Sequence, residues 1–257
     1  MPRASGAARR RLEAVGLPDV SVRARVAALV VLALASVGVL LAIGPIVQGP
    51  GYYDFPDSRV LLGVPAFCNV VSNLPFAVVG VIGLRATGRL APRLRAPWAM
   101  LFVGIFLTAF GSGFYHLAPA APRLLFDRLP MTIAFASVFA LALSDRIDER
   151  LGGRLLWPMI AVAIGSALFW YVTGDLRVYA FVQGYPMLAV PLLLLIARGR
   201  HLDGRWFIAA VLVYFAAKVL ERFDGRIYDA LGHAISGHAL KHLVAAGACW
   251  CLYRMAR

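Results

Sequence analysis

The chain carries an uncharged run of 22 residues, VAALVVLALASVGVLLAIGPIV, from Val26 to Val47. About 20 apolar residues cross the hydrocarbon core of a bilayer as a helix, so this run predicts a transmembrane helix. A signal peptide has a shorter apolar core and a small-residue cleavage site. We therefore expect the helix to be retained, with cleavage as the alternative. The basic residues 1–25 precede it as a tail.

Seven further apolar stretches follow. They cover residues 66–85, 97–117, 128–144, 155–173, 177–197, 206–222 and 236–254. Such continuously apolar runs favour helices over a membrane barrel, whose strands alternate apolar and polar residues. The sequence thus predicts an all-α integral membrane protein of eight transmembrane helices. One extra helix (26–47) and an outer loop (48–65) precede a seven-helix core (66–254).

Composition supports this class. Hydrophobic residues make up 61% of the chain, charged residues 15%, and the mean hydropathy is +0.76. The net charge of +13 could suggest a nucleic-acid partner, but the arginines fall in short clusters between apolar runs rather than along one basic stripe. We expect a lipid bilayer as the partner and no nucleic acid. The three cysteines have neither metal-ligand spacing nor the pattern of a disulfide framework.

The arginine clusters also predict the orientation. One set of connections is rich in arginine, namely residues 1–25, 85–95, 146–154, 198–205 and 254–257. The alternate connections carry fewer, namely Arg59, Arg123, Arg128, Arg177, Arg222 and Arg226. The positive-inside rule makes the first set cytoplasmic, so both termini are expected inside. The expected location is the inner membrane of a bacterium.

Six polar residues from four different helices fall at one depth in this topology, at the outer ends of their helices. They are Ser72, Asn73, His116, Asp127, His238 and His242. Chance placement would scatter them between the two sides. Their common depth predicts that they meet in one site, which then faces the periplasm.

Histidine spacing suggests a metal. His238 and His242 are four residues apart and share a helix face, and His116 can supply a third nitrogen from another helix. Three protein ligands and an open position form a catalytic zinc pattern. The alternative is that each histidine simply pairs across helices.

Ser112 lies one turn before His116, and Asp127 follows eleven residues after it. Ser112 could donate a hydrogen bond to a water or an oxyanion, and Asp127 could relay protons. Simpler roles remain open for both. Asp127 could cap its helix, and Ser112 could bond to a carbonyl one turn earlier.

Several motifs occur together along the chain. They are Tyr53-Asp54-Phe55-Pro56-Asp57-Ser58-Arg59, Asn69-Val70-Val71-Ser72-Asn73-Leu74, Gly111-Ser112-Gly113-Phe114-Tyr115-His116, Asp127-Arg128-Leu129-Pro130-Met131, Lys218-x-x-Glu221-x-x-Asp224-x-x-Ile227-Tyr228 and Ser236-Gly237-His238-Ala239-Leu240-Lys241-His242. In combination they resemble the alkaline ceramidase family, within the wider group of membrane hydrolases that includes the adiponectin receptors. The chain looks like a bacterial-type member.

The resemblance implies a zinc-dependent amidase that cuts the N-acyl bond of ceramide or a related N-acyl lipid, releasing an amine base and a fatty acid. His116, His238 and His242 match the zinc ligands, and Ser112 and Asp127 match the serine and aspartate of the site. The rival hypothesis is a seven-helix receptor or sensor with a structural zinc site and little or no hydrolase activity.

The sequence departs from this family at its calcium site. Ala66 stands where a glutamate is expected, which leaves Asp54, Asp57 and Asn69 as oxygen ligands. Calcium prefers six to eight oxygens, so we expect weak calcium binding or none. Supporting positions around the zinc site are also expected. These are Ser72, Asn73, Lys218, Glu221, Asp224 and Lys241, with Lys218 and Glu221 spaced to pair on one helix face.

Overall fold

The structure, a computed structural model, describes residues 20–257 and contains only helices and connecting segments within that range. The helices are α1 (Val22–Ile43), α2 (Phe67–Val71), α3 (Leu74–Thr87), α4 (Pro92–Leu117), α5 (Ala121–Arg146), α6 (Leu151–Thr173), α7 (Arg177–Ile196), α8 (Gly204–Arg222), α9 (Asp224–Ala230) and α10 (Gly237–Met255). The predicted all-α class is confirmed. Of the predicted basic tail, residues 1–19 lie outside the described range.

Six helices are long and apolar enough to cross a membrane, with α2 and α3 forming one such span. The described chain is therefore a multi-pass membrane protein in its physical character. Two helices of the predicted eight, α8 and α10, are not among these six, because charged and histidine residues reduce their apolar character. These residues include Lys218 and Glu221 in α8, and His238, Lys241 and His242 in α10.

Several predicted boundaries need correction; α5, for example, begins at Ala121 rather than at residue 128. The N-terminal helix was expected at 26–47 but spans Val22–Ile43, because Ser21 caps its start and Gly44 ends it with a positive φ of 79°. The apolar stretch 66–85 was expected as one helix but breaks at Ser72 and Asn73. Pro75 follows the break and has no N–H to continue the hydrogen-bond ladder. The short helix α9 falls in a stretch expected to be a loop.

Polar contacts join the loops at one end of the bundle. The Asp145 carboxylate accepts hydrogen bonds from the backbone N–H groups of residues 200–202, at 2.7 to 3.0 Å. Arg146 pairs with Asp145 and donates to the Ala197 carbonyl at 2.5 Å. Arg25 of α1 donates to the Arg146 carbonyl at 2.7 Å. These contacts fix the arginine-rich end, so the histidines lie at the opposite end.

Two glycines permit the close helix approaches that position the site. A Cβ on Gly111 would lie 2.1 Å from the Phe126 carbonyl oxygen, so α4 and α5 meet directly beside Ser112 and Asp127. A Cβ on Gly237 would lie 2.5 Å from the Leu220 carbonyl oxygen. The start of α10 is thus pressed against the end of α8, immediately before His238. Any side chain at either glycine would push these backbones apart.

Candidate metal centre

The three predicted histidines meet in the structure. One ring nitrogen from each of His116, His238 and His242 lies within 4.8 Å of the others, and all three side chains are buried. The Nε2 atoms of His116 and His238 are 3.2 Å apart. His238 and His242 share one face of α10, as their spacing predicts, while His116 ends α4.

Hydrogen bonds around Ser72 determine which nitrogen of His242 is available. The Ser72 hydroxyl donates to the Asn69 carbonyl at 3.2 Å, so its oxygen is left to accept from His242 Nδ1, 2.9 Å away. The proton then resides on Nδ1, and Nε2 keeps its lone pair. Asn73 lies 3.4 Å from the same Nδ1 through its Nδ2 atom and donates to the Asn69 carbonyl at 2.7 Å. The break between α2 and α3 supplies this carbonyl.

The donor set fits a divalent transition metal such as zinc. Zinc is commonly bound by imidazole nitrogens, and an acceptor on the other ring nitrogen, as Ser72 is for His242, holds such a ring in orientation. His116 also leaves its Nδ1 atom buried without a hydrogen-bond partner among the described residues. The convergence of three imidazole nitrogens in a buried place is an arrangement that could hold a metal ion.

Ser112 and Asp127 lie close to the histidine cluster. Ser112 lies one turn before His116 and is 3% exposed, and its side chain is close to that of Asp127. Both residues line the cavity that also contains His242. Asp127 occupies the second turn of α5, because the helix begins at Ala121. The alternative in which Asp127 caps the helix is therefore wrong.

The cavity has a volume of about 490 Å³ and follows the length of the bundle. On α4 its lining extends from Ser112 to Leu101, a rise of about 16 Å over eleven residues. On α10 it extends from Lys241 to Leu252, which is about 16 Å again. Its polar residues concentrate at the histidine end, and aliphatic and aromatic side chains line the rest. The cavity is therefore long and mostly apolar, with one polar end.

Charged groups beside the histidines join α8 to α10. Glu221 accepts a hydrogen bond from Lys241 at 2.5 Å and pairs with Lys218 on its own helix. The expected pairing of Lys218 with Glu221 is thus present, and Lys241 extends it across the helices. All three residues line the cavity next to His242.

Asp224 holds the start of α10. Its Oδ1 accepts a hydrogen bond from the backbone N–H of His238 at 2.7 Å, while Ser236 caps the helix through the N–H of Ala239. Both groups satisfy N–H donors that have no partner inside the helix. Asp224 therefore positions His238 through the backbone rather than through the ring.

The three oxygen ligands considered for calcium have other partners or lie apart. Arg59 donates to both carboxylate oxygens of Asp57, each at 2.8 Å. Asn69 uses its amide to donate to the Asp57 carbonyl at 3.1 Å. Asp54 is exposed. A guanidinium thus occupies the position where a cation would need oxygen ligands.

Two residues of the site were not identified from the sequence. The Phe55 ring packs against the rings of His116 and His238, with centroids 4.8 and 4.4 Å apart. Arg128 is buried beside Asp127 and lines the same cavity. Of these two residues, only Arg128 could have been identified from the sequence. A charged residue within or beside an apolar span has a high desolvation cost, and such residues usually have a function.

The fold and the site define a multi-pass helical membrane protein with a buried histidine cluster that could hold a metal ion. The chain belongs to DUF6962, a family of unknown function, whose profile matches residues 69–257. The matched range includes the three histidines, Ser112 and Asp127, and α1 precedes it. No curated protein matches the chain.

Proposed function

We propose that this protein is a zinc-dependent membrane amidase, related to the alkaline ceramidases, that hydrolyses the N-acyl bond of ceramide or another N-acyl lipid. One observation carries the proposal. Three histidine nitrogens converge at the polar end of a long apolar cavity, where Ser112 and Asp127 also lie. A metal ligand set, a carboxylate and a hydroxyl beside a slot for a hydrocarbon chain are the parts that lipid amide hydrolysis needs.

His116, His238 and His242 would hold the zinc. When bound, zinc supplies Lewis-acid polarisation of the acyl carbonyl and acidifies water. Imidazoles carry no negative charge, so a dication in this buried place needs a carboxylate nearby. Glu221 already pairs with Lys218 and Lys241. Asp127, which has no ion-pair partner among the described residues, is left to balance the charge.

Asp127 is also the proton carrier. Its carboxylate accepts the proton of the attacking water and passes it to the leaving amine, as a general base and then a general acid. The nearby Ser112 hydroxyl would orient the carboxylate before the reaction by donating a hydrogen bond to it. The Ser112 hydroxyl can then turn to donate to the oxygen of the tetrahedral intermediate, on which negative charge develops.

The cavity binds the acyl chain and keeps bulk water away from the reacting amide. Its apolar length of about 16 Å along α4 suits a long-chain acyl group with its carbonyl at the histidine end. Phe55 closes the site on the side of His116 and His238. Cleavage of the amide then leaves the fatty acid in the cavity and the amine at its polar end.

In the proposed topology, α8 and α10 also cross the bilayer, which gives eight crossings with both termini in the cytoplasm. Packing supports this, because the two helices line the same cavity as α4, α5 and α7. Their charged and histidine side chains face protein and cavity partners, as intramembrane polar groups do. In a bacterial inner membrane the active site would then lie toward the periplasm.

The test is hydrolysis by purified protein in detergent, loaded with zinc and incubated with a panel of N-acyl lipids that includes ceramide. Mass spectrometry should detect a free fatty acid together with the matching amine. A zinc-loaded protein that leaves the whole panel uncut would contradict the amidase proposal and favour the sensor hypothesis.

A matched histidine control is available on the same end of the protein. His242→Ala should abolish product formation, because it removes a ligand. His233→Ala should not, because His233 is exposed in the loop before α10 and contacts Asp229. Equal activity of the two variants would contradict the assignment of the site.

A further inference from the structure

Arg128 is a buried guanidinium whose charge has no carboxylate partner. The residue is 4% exposed, and no Asp or Glu among residues 20–257 forms an ion pair with it. Its Nη2 atom donates to the side-chain oxygen of Gln48, a neutral amide, at 2.6 Å. Its Nη1 atom is buried and has no hydrogen-bond partner of ordinary geometry. A buried cation that keeps a free donor is expensive and calls for a function.

Aromatic rings hold this guanidinium in place. Its central carbon lies 3.7 Å from the ring centroid of Trp170, 4.7 Å from that of Tyr179 and 5.8 Å from that of Tyr52. Rings attract a cation but cannot neutralise it, and they leave its edge donors unpaired. The cage therefore orients Arg128 without consuming its Nη1 atom.

The location connects Arg128 to the reacting amide. Arg128, Gln48, Tyr52 and Tyr179 all line the cavity that holds Ser112 and His242. The nearest carboxylate in sequence, Asp127, interacts with Arg128 at longer range but forms no ion pair with it among the described residues, and in the proposed mechanism it balances the charge at the histidines. An anion that satisfies Arg128 must therefore come from the bound ligand.

We propose that Arg128 forms an anion-binding subsite that selects N-acyl lipids with a negative group on the amine side of the scissile bond. This proposal rests on the proposed amidase function. The adjacent positions of Asp127 and Arg128 on α5 put the proton carrier and the guanidinium at neighbouring parts of one ligand. A carboxylate two bonds from the amide nitrogen, as in an N-acyl amino acid, meets that spacing. A neutral ceramide leaves Nη1 unpaired and is the poorer substrate.

The experiment compares N-palmitoylglycine with N-palmitoylglycinamide, which differ at the carboxylate alone, on zinc-loaded full-length protein. We expect the wild type to show a ratio of kcat/KM values of about 10 to 100 in favour of the anion, as one charge-assisted hydrogen bond implies. Arg128→Gln should bring that ratio near one, chiefly by loss of the glycine substrate. A merely structural arginine would instead lower both rates together.

Two further variants keep the test sharp if Arg128→Gln folds poorly. Gln48→Glu retains the hydrogen bond to Nη2 but supplies a carboxylate, so it should fold and lose the preference for the anion. Arg123→Gln is the control, because Arg123 lies on the same helix, stacks on Phe114 at 4.6 Å and does not line the cavity. It should keep the wild-type ratio.

The outcomes separate the two proposals. A wild type that cuts both compounds with a ratio near one overturns the anion subsite and leaves the amidase intact. If neither compound is cut, calorimetric binding to zinc-stripped protein decides. Tighter binding of N-palmitoylglycine that Arg128→Gln abolishes supports the subsite, and the assay on the whole N-acyl lipid panel then decides whether the amidase proposal fails. Binding without preference overturns the subsite.

Discussion

The hydroxyl of Ser72 lies 2.9 Å from Nδ1 of His242, across the break between α2 and α3. The hydroxyl donates in turn to the Asn69 carbonyl, which the break leaves free to accept. This arrangement favours the tautomer with the proton on Nδ1, which leaves the lone pair of Nε2 for a metal ion. The break between α2 and α3 thus orients His242, a candidate metal ligand on α10.

Ser72→Ala should weaken zinc binding without abolishing it. Loss of such an outer partner typically lowers metal affinity by about 10- to 100-fold, because the ligating ring loses its orientation and basicity. Competition with a chelator of known affinity measures the change. Ser72→Thr, which keeps a hydroxyl, should stay close to wild type. An alanine variant with unchanged affinity would remove Ser72 from the site.

Asp127→Asn should separate metal binding from chemistry. The amide keeps the shape of the carboxylate but cannot carry the proton, so hydrolysis should fall by about 10²- to 10⁴-fold. Zinc should still bind at saturating metal, because Asp127 is not among the clustered ligand residues, but with lower affinity, because the charge of the dication is no longer balanced. Parallel activity assays and metal analysis check both points. A fully active asparagine variant would show that Asp127 moves no proton.

Glu221→Gln should destabilise the joint between α8 and α10. It leaves Lys218 and Lys241 without their shared carboxylate partner, a group whose side chain is 28% exposed. We expect a loss of about 1–2 kcal/mol, after a discount for solvent screening, and hence a thermal midpoint lower by roughly 2–8 °C. Asp229→Asn is the control, because that carboxylate is 76% exposed and pairs only with His233. A similar shift in both variants would show that charge loss alone matters.

The Asp57–Arg59 pair should make stability depend on acid. Hydrogen bonds from Arg59 hold the pKa of Asp57 below its usual 3.8. The contribution of Asp57 is therefore fully present above about pH 4 and is lost as the pH falls through the lower, folded-state pKa. Asp57→Asn should lower the thermal midpoint at neutral pH. The difference in thermal midpoint between this variant and the wild type should become smaller as the pH falls below about 4. A difference that persists unchanged at pH 2 would contradict the pairing, and the exposed Asp54→Asn serves as control.

The sequence predicts the parts of this site that depend on helix periodicity and depth. Four-residue spacing puts His238 and His242 on one face of α10, and the alternation of loops brings His116 to the same end. Glu221 pairs with Lys218 at its expected three-residue spacing. These relationships follow from distances along single helices, which sequence determines well.

Relationships between helices are less predictable. The helix break that frees the Asn69 carbonyl could be predicted only by interpreting Pro75 as an interruption, although the apolar stretch continues past this proline. The packing of Phe55 on two histidines depends on how a loop returns over the bundle. The surroundings of Arg128 combine side chains from α6 and α7 with Gln48 of the loop after α1. Such contacts depend on tertiary packing and cannot be predicted from the periodicity of the sequence.

The most direct test of the central claim is X-ray absorption spectroscopy at the zinc edge, with metal quantification, on purified full-length protein. We predict one zinc per chain, with imidazole nitrogens at about 2.0–2.1 Å that fit three histidines. His238→Ala should lose the metal and His201→Ala, which lies at the opposite end and contacts Glu149, should keep it. A protein without bound zinc after zinc loading, or full zinc occupancy in His238→Ala, would contradict the account.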